Sequence, residues 1–194
     1  GQNNKLQIKG RLRGCKIEIS GNNNKLIINK GSIISHTHVY IKGNNITIKI
    51  GKNVRMKKGT LWGEDNSSKI MISDETTIED AHIAVTEDNG VITIGKDCML
   101  AKSINIRNGD SHSIIDIQTN KRLNSAKNVI IKDHVWISNN VTILKGTNIQ
   151  NNSVIAAGSI VSNFNSIDES VIIGGIPAKI LKTKINWKRE RIKI

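Results

Sequence analysis

The segment Arg107–Asp116, "RNGDSHSIID", sets one histidine among two carboxylates and two serines. His112 carries the side chain best suited to take a proton from a hydroxyl near neutral pH, because an imidazole titrates close to that range. Either Asp110 or Asp116 could hold the ring in its useful tautomer and stabilise the charged form, and spacing does not choose between them. Ser111 is next to His112 in sequence, which does not build a nucleophilic triad, and no G-x-S-x-G turn occurs. The chemistry on offer is general-base activation of a bound hydroxyl; the bland reading of the same residues is an exposed loop histidine.

A second candidate is Trp136 in "DHVWI", expected to face outward beside an inward Val135. Its indole N–H could donate to a developing oxyanion, or the ring could pack against a neighbouring subunit. Cys98 falls at a small interior position and reads as a core thiol, while Cys15 lies in an irregular first stretch. Two cysteines make neither a disulfide framework nor a metal-ligand spacing. His36, His38, His82 and His134 are scattered, and no metal is expected.

The elements that must position these groups show in a period of six. Ile131, Ile137, Ile143, Ile149, Ile155 and Val161 recur at that step, and Val135, Val141, Thr147, Ser153 and Ser159 follow four places after the first five. Neither a helix nor a flat strand has this period. Upstream it returns in blocks headed by Ile28, Ile50, Ile72 and Ile94, each 22 residues after the last. Within them, Met56 with Trp62 and Leu100 with Ile106 take the inward positions, and Leu6 with Leu12 extends the series backwards. A 22-residue unit reads as three hexads plus a polar excursion, at 42–45, 63–68 and 86–90, where Gly and Asn accept left-handed backbone at low cost.

Three hexads per turn predict a three-sided parallel solenoid, an all-β fold whose coils stack about 4.8 Å apart and bury their aliphatics on one another. About seven coils give a prism roughly 30 Å tall. The pattern breaks over 107–128, which is expected to protrude as a loop. "VIIGGIPAKI" makes a last coil edge, and the basic run 183–194 is expected to be a short helix or tail, with "INW" capping the open end of the prism. Residues 1–182 then form one catalytic domain.

"RNGDSHSIID", "DHVWISNNVTILKG", "NSVIAAGSIV" and "GGIPAK" together resemble the capsular and sialic-acid-polymer O-acetyltransferases, members of the hexapeptide-repeat acyltransferases. The similarity is strongest over 105–182. It implies a left-handed β-helix, a homotrimer with grooves between adjacent prisms, and acetyl-CoA as the acetyl donor. It further implies that His112 deprotonates the acceptor hydroxyl for direct attack on the thioester, with Trp136 matching a tryptophan of the site. The cofactor groove would be lined by Ser138, Ala156, Ala157, Gly158, Gly174 and Gly175, with Lys179 and Lys182 meeting its phosphates and Lys184 available to add to them. Zinc-dependent carbonic anhydrases share this solenoid, but none of the histidine triplets here has their spacing.

Composition bounds the rest. A formal charge of +13 favours an anionic partner without choosing among nucleic acid, phosphorylated cofactor, acidic polysaccharide or membrane surface. No nucleic-acid motif is present, and a 3% aromatic content supplies almost no base-stacking platform. Apolar runs are too short to span a membrane. The chain opens on Gly rather than Met, as a trimmed N-terminus would, and shows no secretory pattern, so a cytoplasmic setting is the simplest expectation. The leading expectation is acetyl transfer to a hydroxyl of a surface or capsular polysaccharide, sialic acid among the possible sugars. The rivals are a noncatalytic β-helical module for an anionic polymer and, behind it, a zinc-dependent hydratase.

Overall fold

The structure, a computed structural model, describes residues 1–193. The chain winds as a left-handed parallel β-helix of about eight turns with three faces. The first and third sheets hold seven strands each; the second holds nine, eight of them in coils and one added antiparallel at the end. Rungs align with the sequence period: Ile28 pairs with Ile50, Ile72 pairs with both Ile50 and Ile94, and Ile131 continues the column. The step between coils is 22 residues in the early part, 37 across the loop and 18 beyond it. The excursions therefore belong only to the early coils.

The inward aliphatics carry the stability. Ile28, Ile50, Ile94, Ile137, Ile143 and Ile155 are each fully buried, and burying such a side chain stabilises the fold by about 1.5–3 kcal/mol. The small interior residues do a second job at the corner between the first and second sheets. Ser32 Oγ donates to the Gly51 carbonyl at 2.7 Å, Thr76 Oγ1 to Gly95 at 2.8 Å, and Cys98 Sγ to Lys132 at 3.2 Å. Each satisfies a corner carbonyl of the next coil, which burial would otherwise leave unpaired. Cys98 thus stands in for a serine, and burial pushes its thiol up to about 12.

The excursions extend the third-sheet strands, Thr37–Asn44 and Gly59–Asn66, beyond the prism edge. Their tips are tied coil to coil by a side-chain ladder. The Asn22 amide donates to Asn44 Oδ1 at 2.9 Å, and the Asn66 amide to Asp88 Oδ1 at 2.9 Å. Asn45, Ser67 and Asn89 then turn the chain with positive φ, as expected there.

Two expectations need correction. Trp62 does not face inward: Leu61 takes the core position at 0% exposure and Trp62 lies on the outer surface. The corner after Met56 is one residue shorter than the corner after Leu100, so the strict six-residue step fails there. The basic C-terminal run forms no helix among the described residues. After the hairpin strand Ala178–Lys182, Ile185 still bonds the last coil through Ser170, but "INW" does not end as a cap on the open end. The chain runs back along the second face instead, as a strap. Ile194 of that run lies outside the described residues. No helix of the described residues is long and apolar enough to cross a membrane.

Candidate active site

The 107–128 segment leaves the prism between the third-sheet strand Ile104–Arg107 and the first-sheet strand Val129–Ile131. That edge lies opposite the second face. Asn124, 7% exposed, organises the loop. Its Nδ2 donates to the His112 carbonyl at 2.7 Å and to Asp110 Oδ2 at 2.9 Å, while its Oδ1 accepts from the Ile114 amide at 2.8 Å. The His112 amide donates to the Asp110 carbonyl at 2.8 Å across Ser111, whose φ is +65°. Two ion pairs fasten this knot to the prism, Lys145 to Asp110 and Arg122 to Glu87. The His112 side chain is left exposed, as a base that must meet substrate requires.

Within one chain neither candidate carboxylate orients the imidazole. Asp110 is taken by Lys145 and Asn124, and the Lys145 bond holds its carboxyl below the ordinary range. Asp116 closes a turn, accepting from the Thr119 amide at 2.7 Å and the Gln118 amide at 2.9 Å, and the Thr119 bond is the main cause of its lowered pKa. The sequence shows the two acids near His112 but not that both are spent on holding the loop.

Trp136 sits on the second face, in register between Met99 and Val154. It lines a groove of about 360 Å³ with Arg55, Ile78, Met99 and Leu100 on the coils and Arg189 from the strap. Its indole N–H makes no hydrogen bond among the described residues. The strap forms the upper wall. Trp187 is 5% exposed, its ring lies 6.1 Å from that of Trp136, and its Nε1 donates to the His134 carbonyl at 2.8 Å. Arg189 reaches Asp97 at 2.8 Å and Thr77 Oγ1 at 2.9 Å. His134 Nδ1 meets Asp97 Oδ2 at 2.7 Å. Nothing in the sequence announces this strap, since Trp187 and His134 are 53 residues apart.

The small residues expected at the cofactor groove fall partly into one column. Ser138, Ala156 and Gly174 follow one another coil by coil, each directly after the inward isoleucine of its second-face strand, with the Ser138 amide on the Ile155 carbonyl and the Ala156 amide on the Ile173 carbonyl. A Cβ on Gly174 would lie 2.9 Å from that of Ala156, so a glycine is required there. Ala157 and Gly158 are exposed at the neighbouring turn, where Gly158 takes φ +73°. Gly175, at φ +101°, opens the hairpin that carries Lys179 opposite Gly174 and Lys182 opposite Ile172. Both lysines and Lys184 are exposed.

The remaining histidines have separate surroundings. His38 pairs with Glu18 at 2.7 Å, His134 lies on a coil against the Trp187 ring of the strap, and His36 turns a corner at φ +43°. Burial, helped by the nearby Arg107 charge, lowers the pKa of His82. No group of three or more His, Cys, Asp or Glu able to hold a metal occurs among the described residues. His112 and Trp136 do not share a cavity: the residues beside His112, Ser111 and Ser113, face Glu64 and Glu87 at the third-sheet edge, and Trp136 faces the second-face groove.

The left-handed β-helix matches the fold of the hexapeptide-repeat acyltransferases. No protein-family model matches the chain. It is 37% identical over 148 residues to a polysialic acid O-acetyltransferase of Neisseria meningitidis, covering 75% of this chain and 68% of that protein. A polysialic acid O-acetyltransferase of Escherichia coli O1:K1 is 39% identical over 92 residues, which span only 29% of its length. The solved polysialic acid O-acetyltransferase OatWY superposes with a TM-score of 0.90 over 98% of this chain and 90% of that one, at 35% identity. The polySia specific acetyltransferase NeuO superposes with a TM-score of 0.85 over 97% and 80%. The chain belongs to the polysialic acid O-acetyltransferase family.

Proposed function

We propose that the protein transfers acetyl from acetyl-CoA to a hydroxyl of an acidic polysaccharide, a polymer of sialic acid being the first candidate. The observation that supports this most is the close likeness to two polysialic acid O-acetyltransferase structures along nearly the whole chain. His112 Nε2 or Nδ1 takes the hydroxyl proton as the oxygen attacks the thioester carbonyl. The tetrahedral oxyanion needs a donor, a role assigned in this reading to the indole N–H of Trp136, which lines the second-face groove; collapse expels the CoA thiolate, which takes the proton held by the His112 imidazolium. The Ser138–Ala156–Gly174 column lets the pantetheine arm lie close against the coils, and Lys179 and Lys182 offer charge to the phosphates.

One protomer does not bring His112 to Trp136, because the loop leaves the edge opposite the second face. A site using both is built between copies, the histidine from one prism and the indole groove from the next, which a cyclic trimer repeats three times. The exposed Ile114, Ile117 and Leu123 of the loop favour such an arrangement, being 57%, 98% and 64% exposed in a single chain. The intracellular supply of acetyl-CoA favours a cytoplasmic setting.

The test is release of free thiol from acetyl-CoA with and without a panel of acidic and neutral glycans. Acceptor-dependent release that falls by about a hundredfold or more in His112→Ala supports the reading. Release that is absent with every glycan, or retained within a few fold in His112→Ala, contradicts it.

A further inference from the structure

The outer surface of the third sheet places one side chain per coil in a single column: Glu18, Tyr40, Trp62, Ala84, Arg107. The Tyr40 ring stacks on the Trp62 indole, centroids 3.9 Å apart and planes 24° from parallel. On the other side of Trp62 the column drops to Ala84 and then rises again to Arg107. The short alanine leaves a hollow of about 160 Å³ lined by Trp62, Glu64, His82, Ala84, Arg107 and Ser111. Ser111 is the neighbour of His112, so this hollow adjoins the loop that carries the base.

The lining has a definite chemical character. Trp62 lines the hollow, and an indole suits the C–H side of a sugar ring. Arg107 makes no ion pair among the described residues, leaving a planar fork of donors for a carboxylate. Glu64 at the far lip and Ser111 supply partners for hydroxyls. Burial disfavours the charged form of His82, so it adds no second cation. In the acidic cluster beyond the strand ends, Arg122 offsets the charge of Glu87, while Asp65 accepts from the Glu87 amide at 2.7 Å and Asp88 from the Asn66 amide at 2.9 Å. From Tyr40 to Arg107 the column runs three coils, about 14 Å at the usual spacing, room for more than one sugar ring.

We infer that this hollow is an acceptor subsite for one acidic sugar, its ring against Trp62 and its carboxylate on Arg107, so that the adjoining sugar of the polymer lies at His112. The inference rests on the reading of the protein as an acetyltransferase acting on an acidic glycan. It adds which residues select that glycan.

The experiment uses Trp62→Ala and Arg107→Gln in the full chain, with Lys30→Gln, an exposed lysine in a distant turn, as a charge-matched control. Acceptor KM for a polysialic acid oligomer should rise at least tenfold in both variants, while KM for acetyl-CoA and the control stay within twofold. Direct binding of the same oligomer and of its carboxyl-reduced form is measured in the His112→Ala background. The acidic form should bind at least tenfold more tightly, and Arg107→Gln should remove that preference. Acetyl transfer with acceptor KM unchanged in both variants overturns the subsite, as does equal binding of the acidic and reduced forms. Arg107-dependent binding of the acidic form in a protein that transfers no acetyl leaves the subsite standing and removes the acetyltransferase reading. Should Trp62→Ala dissociate the assembly while Arg107→Gln leaves acceptor KM unchanged, the face is a contact between copies and the subsite is overturned.

Discussion

The imidazole of His134 lies flat against the indole of Trp187, centroids 4.1 Å apart and planes within 9°. This contact, with the bond from Trp187 Nε1 to the His134 carbonyl, fixes the strap that walls the Trp136 groove. Burying the Trp187 ring stabilises the docked strap by about 2 kcal/mol, by analogy with other large apolar side chains. Trp187→Ala should release it. Limited trypsin digestion should then cut at Lys188 and Arg189 at least tenfold faster than in the parent, while the melting transition of the coils moves little.

The same strap should respond to acid. Burial acts to raise the Asp97 carboxyl, but the bonds from His134 and Arg189 outweigh it and hold the pKa below the ordinary 3.8. A carboxylate with a depressed folded pKa contributes stability above its unfolded value and loses it as pH falls through the folded one. Strap docking should therefore hold from neutral pH down to about pH 4 as far as Asp97 is concerned, and weaken below it. Tryptophan emission followed by acid titration checks this, and Asp97→Asn should remove the transition.

Asn124 positions His112 through the loop backbone rather than by touching substrate. Asn124→Ala deletes bonds to the His112 carbonyl, the Asp110 carboxylate and the Ile114 amide. Turnover should fall about tenfold or more while KM for acetyl-CoA stays unchanged, since a loosened base misplaces the reacting atoms. Lys145→Met should act in the same direction and more weakly, because one fastening of the loop to the prism goes while the Asn124 knot remains.

Cys98 should be silent towards thiol reagents in the native protein. A fully buried thiol with its pKa near 12 presents almost no thiolate at neutral pH. Cys98→Ser should keep the corner bond to Lys132, as Ser32 does in its own coil, and cost less than about 1.5 kcal/mol in denaturant melts.

The solenoid was legible because its period is a direct image of its geometry: each aliphatic at the six-residue step is a rung, and each 22-residue block is a coil. Trp62 was misread as interior for the same reason. The rule assumes equal corners, and the corner between Met56 and Leu61 is short. Adding 22 to Tyr40 gives Trp62, so the aromatic stack was within reach of the coil period once that corner was known. His112 stood out through its surroundings in the sequence. The partners of Asp110, Asp116 and His134 did not, because they are set by coils and a strap distant along the chain.

The proposed site takes its imidazole and its indole from different copies. The direct measurement is acetyl transfer by a mixture of His112→Ala and Trp136→Ala chains, co-expressed so that they assemble together. Each variant alone should be nearly inactive. In randomly mixed assemblies roughly one interface in four regains both residues, so the mixture should recover about a quarter of parental turnover. A mixture as inactive as either variant alone would contradict the shared site.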